Sequence, residues 1–181
     1  MKNFKSILLI CGMLMMSNSL PAQGITNEVV KAHMLSDWER AKAYTKEYLD
    51  AMPEDGINFK PIPDLRSFAE QMLHMSQGTI GLVASGTGAN PIYQGKVLEK
   101  MDEFKKKAVL TNVVMECYDF AIQSLRNMDT STMDSVIKRG NYETDRFGWL
   151  NKAFEHQTHH RAQTTIYLRL KGIKPPNEKL F

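Results

Sequence analysis

Cysteine is nearly absent from this 181-residue chain, which has only Cys11 and Cys117. It also has no apolar run long enough to cross a bilayer. Ile7 to Met16 covers about ten residues where a spanning helix needs about twenty. Lys2 and Lys5 precede that run, and a polar stretch ending in Pro21-Ala22 follows it. That is the n-, h- and c-region order of a secretory signal peptide. Residues 1–22 are therefore expected to be a leader cut after Ala22, giving a periplasmic or extracellular protein with no stable membrane anchor. Cys11 lies inside the apolar run with more of it still to follow, which disfavours a lipoprotein box. Without the leader Cys117 is alone, so no internal disulfide can form and residues 23–181 must be held by a core.

A marked excess of charge is missing too. Lys and Arg number 23 against 20 acidic residues, a formal charge of +3. The leader holds two of those lysines and no acid, so the remaining chain stands at 21 against 20. Such a balance gives no reason to expect nucleic-acid binding. Repeats, low-complexity segments and runs of alternating strands are likewise absent.

What is present is helical periodicity. A first helix is expected from about Asn27 to Met52, with Val30, Met34, Trp38, Ala41, Tyr44 and Leu49 at three-to-four spacing and Pro53 ending it. The segment PEDGINFKPIPD reads as a loop. Asp64 is the expected N-cap of a second helix reaching about Ser85, with Leu65, Phe68, Met72, Met75, Thr79 and Leu82 on one stripe. SGTGANP breaks the chain, and a third helix is expected from about Gly95 to Met128, with any interruption near Lys107–Thr111. DTSTMDSVIKRGNYETDR reads as a connector with VIKRG as its candidate extended piece. A fourth helix is expected from Thr144–Arg146 to Gly172, with Pro175-Pro176 beyond. Four long amphipathic helices argue for an all-α four-helix bundle. The many methionines read as core gap-fillers.

Three of the five histidines fall in WLNKAFEHQTHHRAQTTIYL. Trp149, Ala153, His156, His160, Gln163 and Tyr167 follow an a/d rhythm, which reads as an inward seam. His156 and His160 are then stacked at i and i+4, Cβ atoms about 5–6 Å apart, able to reach one ion. Each buried imidazole would otherwise need its own partner or cost about 1–3 kcal/mol. His159 lies about 100° round the helix, in a flanking position. In a zinc peptidase the pair would read H-E-x-x-H, but Gln157 stands at the position of the general-base Glu, and an amide cannot take that proton. A third ligand must come from His74 or His33. Periodicity leaves both open: His74 shares a face with Gln71, Gly78 and Gly81, while His33 sits one turn from Val29 and Val30.

At INFKPIPDLRSFAEQMLHMSQGTIGLV and FEHQTHHRAQTTIYLRLKGIKPP the chain resembles the DinB (DinB/YfiT-like) family. The first stretch is similar to the family's Pro-rich loop, Arg-Ser pair and helix carrying its first histidine ligand. The second is similar to its C-terminal signature, in which a histidine, three residues and His-Arg-Gly-Gln lead into Tyr-Leu-Arg and Gly-x-x-Pro-Pro. Ala162 stands where Gly is usual. The resemblance implies His74, His156 and His160 as metal ligands and an up-down-down-up bundle with the triad at one end. It also implies homodimers and, among characterised relatives, enzymes that use low-molecular-weight thiols.

Three neutral imidazoles leave an ion with net charge and an open position, as in catalytic zinc sites. Zinc is the first expectation; nickel, iron and manganese suit the same donors. The expected function is activation of a thiol or water nucleophile toward a small-molecule substrate, as a transferase or hydrolase. Gln71, Gln163 and Tyr167 are candidates near the site by helix position, and Arg161 for an anionic substrate. The alternative is a non-catalytic metal-binding protein of the cell envelope, its shell closed by Glu70 or Glu155.

Overall fold

The computed structural model describes residues 24–181, so the expected leader lies outside the described residues. Four helices dominate: α1 (Asn27–Ala51), α2 (Phe68–Thr87), α3 (Lys107–Asn127) and α4 (Arg146–Leu170). A hairpin of β1 (Val136–Arg139) and β2 (Tyr142–Asp145) separates α3 from α4. No helix among the described residues is long and apolar enough to cross a membrane.

Side-chain partners fix the topology. Asp119 and Tyr118 of α3 meet Lys42 and Thr45 of α1, while Met128 meets Lys31, so α1 and α3 run antiparallel. Tyr44 packs under Arg161 and Tyr48 bonds Thr165, so α1 and α4 run parallel. Gln71 bonds His160 and Gly86 abuts Leu150, which sets α2 antiparallel to α4. The result is an all-α, up-down-down-up bundle. Its core joins Trp38, Phe68, Met72, Leu73, Leu110, Tyr118, Leu125, Leu150 and Leu168, all at most 2% exposed. Each large apolar side chain buried this way contributes roughly 1.5–3 kcal/mol.

Two helix starts differ from the expectation, for local reasons that shape the site. Helix α2 is capped by Ser67, not Asp64. Ser67 Oγ accepts from the Glu70 backbone N–H at 3.2 Å, and Glu70 Oε2 accepts from the Ser67 N–H at 2.8 Å. The remaining orphan N–H groups of Phe68 and Ala69 donate to the Phe59 and Ile57 carbonyls of the preceding loop. Helix α3 begins at Lys107, not Gly95, because residues 98–104 wind into two short 3₁₀ turns, Leu98–Lys100 and Asp102–Phe104. Leu98 is fully buried there, and its N–H donates to Gln77 Oε1 while Gln77 Nε2 donates to the Lys96 carbonyl. That anchorage of the loop to α2 carries Glu99 up to His74.

The extended piece is present and pairs with Tyr142–Asp145, turning at Gly140 with φ 59°, where a side chain would be strained. The hairpin leans on α4 through Trp149 Nε1, which donates to the Ile137 carbonyl at 2.9 Å. Asp145 then caps α4 by accepting from the Gly148 N–H.

Helix α4 buries Trp149, Ala153 and Tyr167 of the expected seam, but between them the buried line runs one residue aside of the histidines. Ala153, Gln157, Arg161, Thr164 and Leu168 are buried, whereas His156 and His160 are half-buried and Gln163 is exposed. The polar members of this seam are tolerated because they satisfy one another. Gln157 Oε1 accepts from the Tyr118 hydroxyl at 2.9 Å and from Arg161 Nη1 at 3.0 Å, and Thr164 Oγ1 donates to the Arg161 carbonyl. The turn of about 100° moves the histidines off the core axis and onto the α2–α4 contact line, where solvent can reach them.

Candidate metal centre

His74 stands on α2 facing His156 and His160 across that contact line. Ring centroids lie 4.4 Å apart for His156 and His160, 4.6 Å for His74 and His160, and 5.6 Å for His74 and His156. One nitrogen from each ring lies within 4.8 Å of the others. Bonds of ~2.0–2.1 Å to a shared ion call for separations of roughly 3–4 Å. Side-chain rotation of half-buried rings can close that difference. His33 is exposed on α1 and takes no part in the group.

The close approach of the helices depends on Gly78. A Cβ at this position would lie 2.6 Å from His156 Nε2 and closer still to its Cε1, so the imidazole occupies the space a side chain would fill. Gly81 has open space above it.

The three rings differ in what holds them. His74 Nδ1 is 3.4 Å from Glu99 Oε2, the oxygen that accepts from Arg66 Nε at 2.6 Å. A carboxylate behind an imidazole sets the ring's orientation and raises its basicity as a ligand. His160 Nδ1 lies 2.8 Å from Gln71 Nε2 and 3.2 Å from Gln163 Oε1, and the two glutamine amides also bond each other. Nδ1 can accept from Gln71 or donate to Gln163 but not both at once, and the second arrangement is the one that leaves Nε2 as the free lone pair. His156 Nδ1 is buried with no hydrogen-bond partner among the described residues. An ion coordinated by that nitrogen would offset a cost of about 1–3 kcal/mol.

Burial and mutual repulsion keep the rings neutral. His156 is pushed down to about 4, first by burial and then by His74 and His159. His160 is also pushed down to about 4, first by burial and then by His156 and His74. His74 is lowered by burial and by Arg66, against the opposing pull of Glu99. Neutral imidazole is the form that binds metal, and the set of donors therefore fits a divalent cation. In the metal-free protein these shifts have a sign. Between the ordinary value of 6.5 and about 4 the unfolded chain binds more protons than the folded one. Stability is thus expected to be complete above about pH 6.5 and to fall as pH drops toward 4. Melting temperature against pH for the metal-free protein, compared with His156→Asn, measures this; equal slopes for both would contradict it.

Beside the group opens a cavity of about 870 Å³, entered past His160. Gln71, His159, Gln163 and Tyr167 line it, as do Arg66, Glu99, Lys60 and Lys100. The Tyr167 hydroxyl donates to the Arg66 carbonyl at 2.8 Å, tying α4 to the turn that starts α2. Gln163 Nε2 and His159 Nε2 are 3.1 Å apart at the rim. Arg161 does not reach this cavity: it is buried on the opposite side of α4, its guanidinium 4.6 Å above the Tyr44 ring. The two carboxylates weighed as fourth ligands are engaged elsewhere. Glu70 closes the capping box and pairs with Lys60 and Lys105, and Glu155 is exposed and paired with Lys152.

Glu99 was not expected in the site. It lies where periodicity predicts the body of a helix, and no local pattern joins it to His74 or Arg66.

The model of the DinB family matches residues 16–180. The chain belongs to the DinB family. Solved structures agree on the fold. A DinB-like protein from Bacillus cereus ATCC 10987 superposes with a TM-score of 0.69 at 16% identity, covering 82% of this chain and 97% of that one. A DinB-like protein from Bacillus subtilis, YjoA, gives 0.63 at 18% identity, over 82% and 96%. No curated protein matches the chain. Within this DinB chain, the histidines assigned from the family signature are the ones the bundle brings together.

Proposed function

We propose that this DinB-family protein is a divalent-metal-dependent enzyme in which His74, His156 and His160 hold one ion and the neighbouring cavity receives a small substrate. The observation that carries this reading is a three-histidine group, able to hold a metal, whose His160 lines a cavity, with no acidic residue completing the set among the described residues. A bound divalent ion would supply Lewis-acid activation of a thiol or water nucleophile. Zinc is the first candidate, and nickel, iron and manganese suit the same three nitrogens. Glu99 and Arg66 orient His74, and Gln71 and Gln163 orient His160. Lys60, Arg66 and Lys100 share the cavity wall with Asp64, Glu70 and Glu99, while the Tyr167 ring gives it an apolar side.

A storage or sequestration protein would be served by a closed shell. Glu70 and Glu155, the acids expected to close it, pair with lysines instead, and Glu99 beside His74 pairs with Arg66. Export through residues 1–22, a low-molecular-weight thiol as co-substrate and a homodimer are proposed alongside, and N-terminal sequencing of secreted protein should read from Gln23.

The test is cobalt substitution followed by titration with a small thiol. An open coordination position predicts a new near-ultraviolet absorption band that saturates with the thiol and is absent in His156→Ala. A cobalt spectrum that small thiols, carboxylates and azide all leave unchanged would mean a closed shell and favour the binding protein.

A further inference from the structure

Arg161 carries a charge that the bundle does not neutralise. It is 7% exposed, and no carboxylate among the described residues pairs with it. Its Nη1 donates to Gln157 Oε1, and the Tyr44 ring lies against its face. A guanidinium has five N–H donors in a fixed fork. Gln157 Oε1 and the neighbouring Tyr118 hydroxyl cannot occupy all five, and Arg161 lines accessible space. That space is a second cavity of about 320 Å³ between α1, α4 and the segment after α4, on the side of α4 away from the histidines.

The other charges around this cavity are already engaged. Arg40 donates to Asp37 and to the Lys179 carbonyl, and the Lys179 ammonium pairs with Glu47. The one carboxylate on the lining is Glu178, which is exposed and makes no ion pair with Arg161. Tyr48, Thr158 and Thr165 line the same space, with the Tyr48 hydroxyl bonded to Thr165 and the Thr158 hydroxyl accepting from Gln157. Tyr44, Phe154 and Leu180 give it apolar walls.

From this we infer that the α1–α4 cavity is a binding site for a small organic carboxylate, its two oxygens held by the Arg161 fork and its apolar body lying between Tyr44, Phe154 and Leu180. A planar carboxylate matches the guanidinium in two parallel charge-assisted bonds. The apolar walls select it over inorganic phosphate, which would want donors on every side. The site is separate from the histidine group, with α4 between them, so ligand and metal bind independently of the function proposed above.

Calorimetric titration of the full chain with benzoate, at constant ionic strength and with phosphate in parallel, tests this. Saturable binding of benzoate near one per chain is expected, with none for phosphate. Ala162→Phe, on the exposed lining, fills the mouth and leaves Arg161 in place; it should weaken benzoate at least about tenfold, the scale of losing a charged hydrogen bond. Glu178→Gln removes the competing negative charge and should tighten binding. His156→Ala should bind as the wild type does. Unsaturable benzoate, binding unchanged in Ala162→Phe, binding lost in His156→Ala, or phosphate taken in place of benzoate would each overturn the inference.

Discussion

Gly78→Ala is expected to strip the protein of its metal while leaving the bundle folded. The added Cβ would fall 2.6 Å from His156 Nε2, a separation that real atoms do not tolerate. What gives way is the imidazole, the free end of a side chain, since the alternative is to part α2 from α4 along their whole contact. Swinging His156 out removes one of three ligands, so the loss should exceed the roughly 10- to 100-fold that disturbing residues behind the ligands costs. Stability should move the other way or stay level, because Ala is roughly 0.8–1.0 kcal/mol better than Gly inside a helix. Competition with a chromophoric chelator, beside a thermal melt of the metal-free protein, reads both quantities. Wild-type affinity in this variant would mean that His156 is not a ligand.

Gln157→Leu is expected to do the reverse, costing stability and sparing the metal. Gln157 is fully buried and is the acceptor for both the Tyr118 hydroxyl and Arg161 Nη1. A leucine of similar size fills the volume but leaves a buried cation without its oxygen. Breaking such a pair from one side costs about 3 kcal/mol. For a chain of this length that is roughly 6–12 °C of melting temperature. The histidines are on another face of α4 and should keep their affinity. A melt within about 2 °C of wild type would show that water replaces the lost acceptor and that the seam is less dry than its burial indicates.

The contrast between these two residues explains what the sequence could and could not say. The four helices were legible because each repeats apolar residues at helical spacing and ends at Pro, Gly or a cap. The hairpin was visible only as VIKRG, since β2 has no apolar alternation. The start of α3 was misplaced because Leu98 looks like a helix residue; it is a loop residue buried through the Gln77 amide, a long-range contact that no local pattern encodes. In α4 the histidine pair was read from its i, i+4 spacing, which is right whichever way the helix is turned. Its burial was not, because Gln157 and Arg161 look like surface residues until Tyr118 and Tyr44 are seen against them. The choice of His74 over His33 needed the family signature, as both periodicities allowed either. Glu99 reaches His74 only through the fold of residues 98–104, so one chain without its structure gave no reason to join them.

The central claim is that the three histidines hold one divalent ion. Metal content by mass spectrometry, on protein covering residues 23–181 purified without added metal and compared with His156→Ala, tests it most directly. About one ion per wild-type chain and almost none in the variant is the predicted result. No metal in the wild type, even after incubation with zinc, nickel, iron and manganese, would contradict the account, and the half-buried histidines of α2 and α4 would need another role.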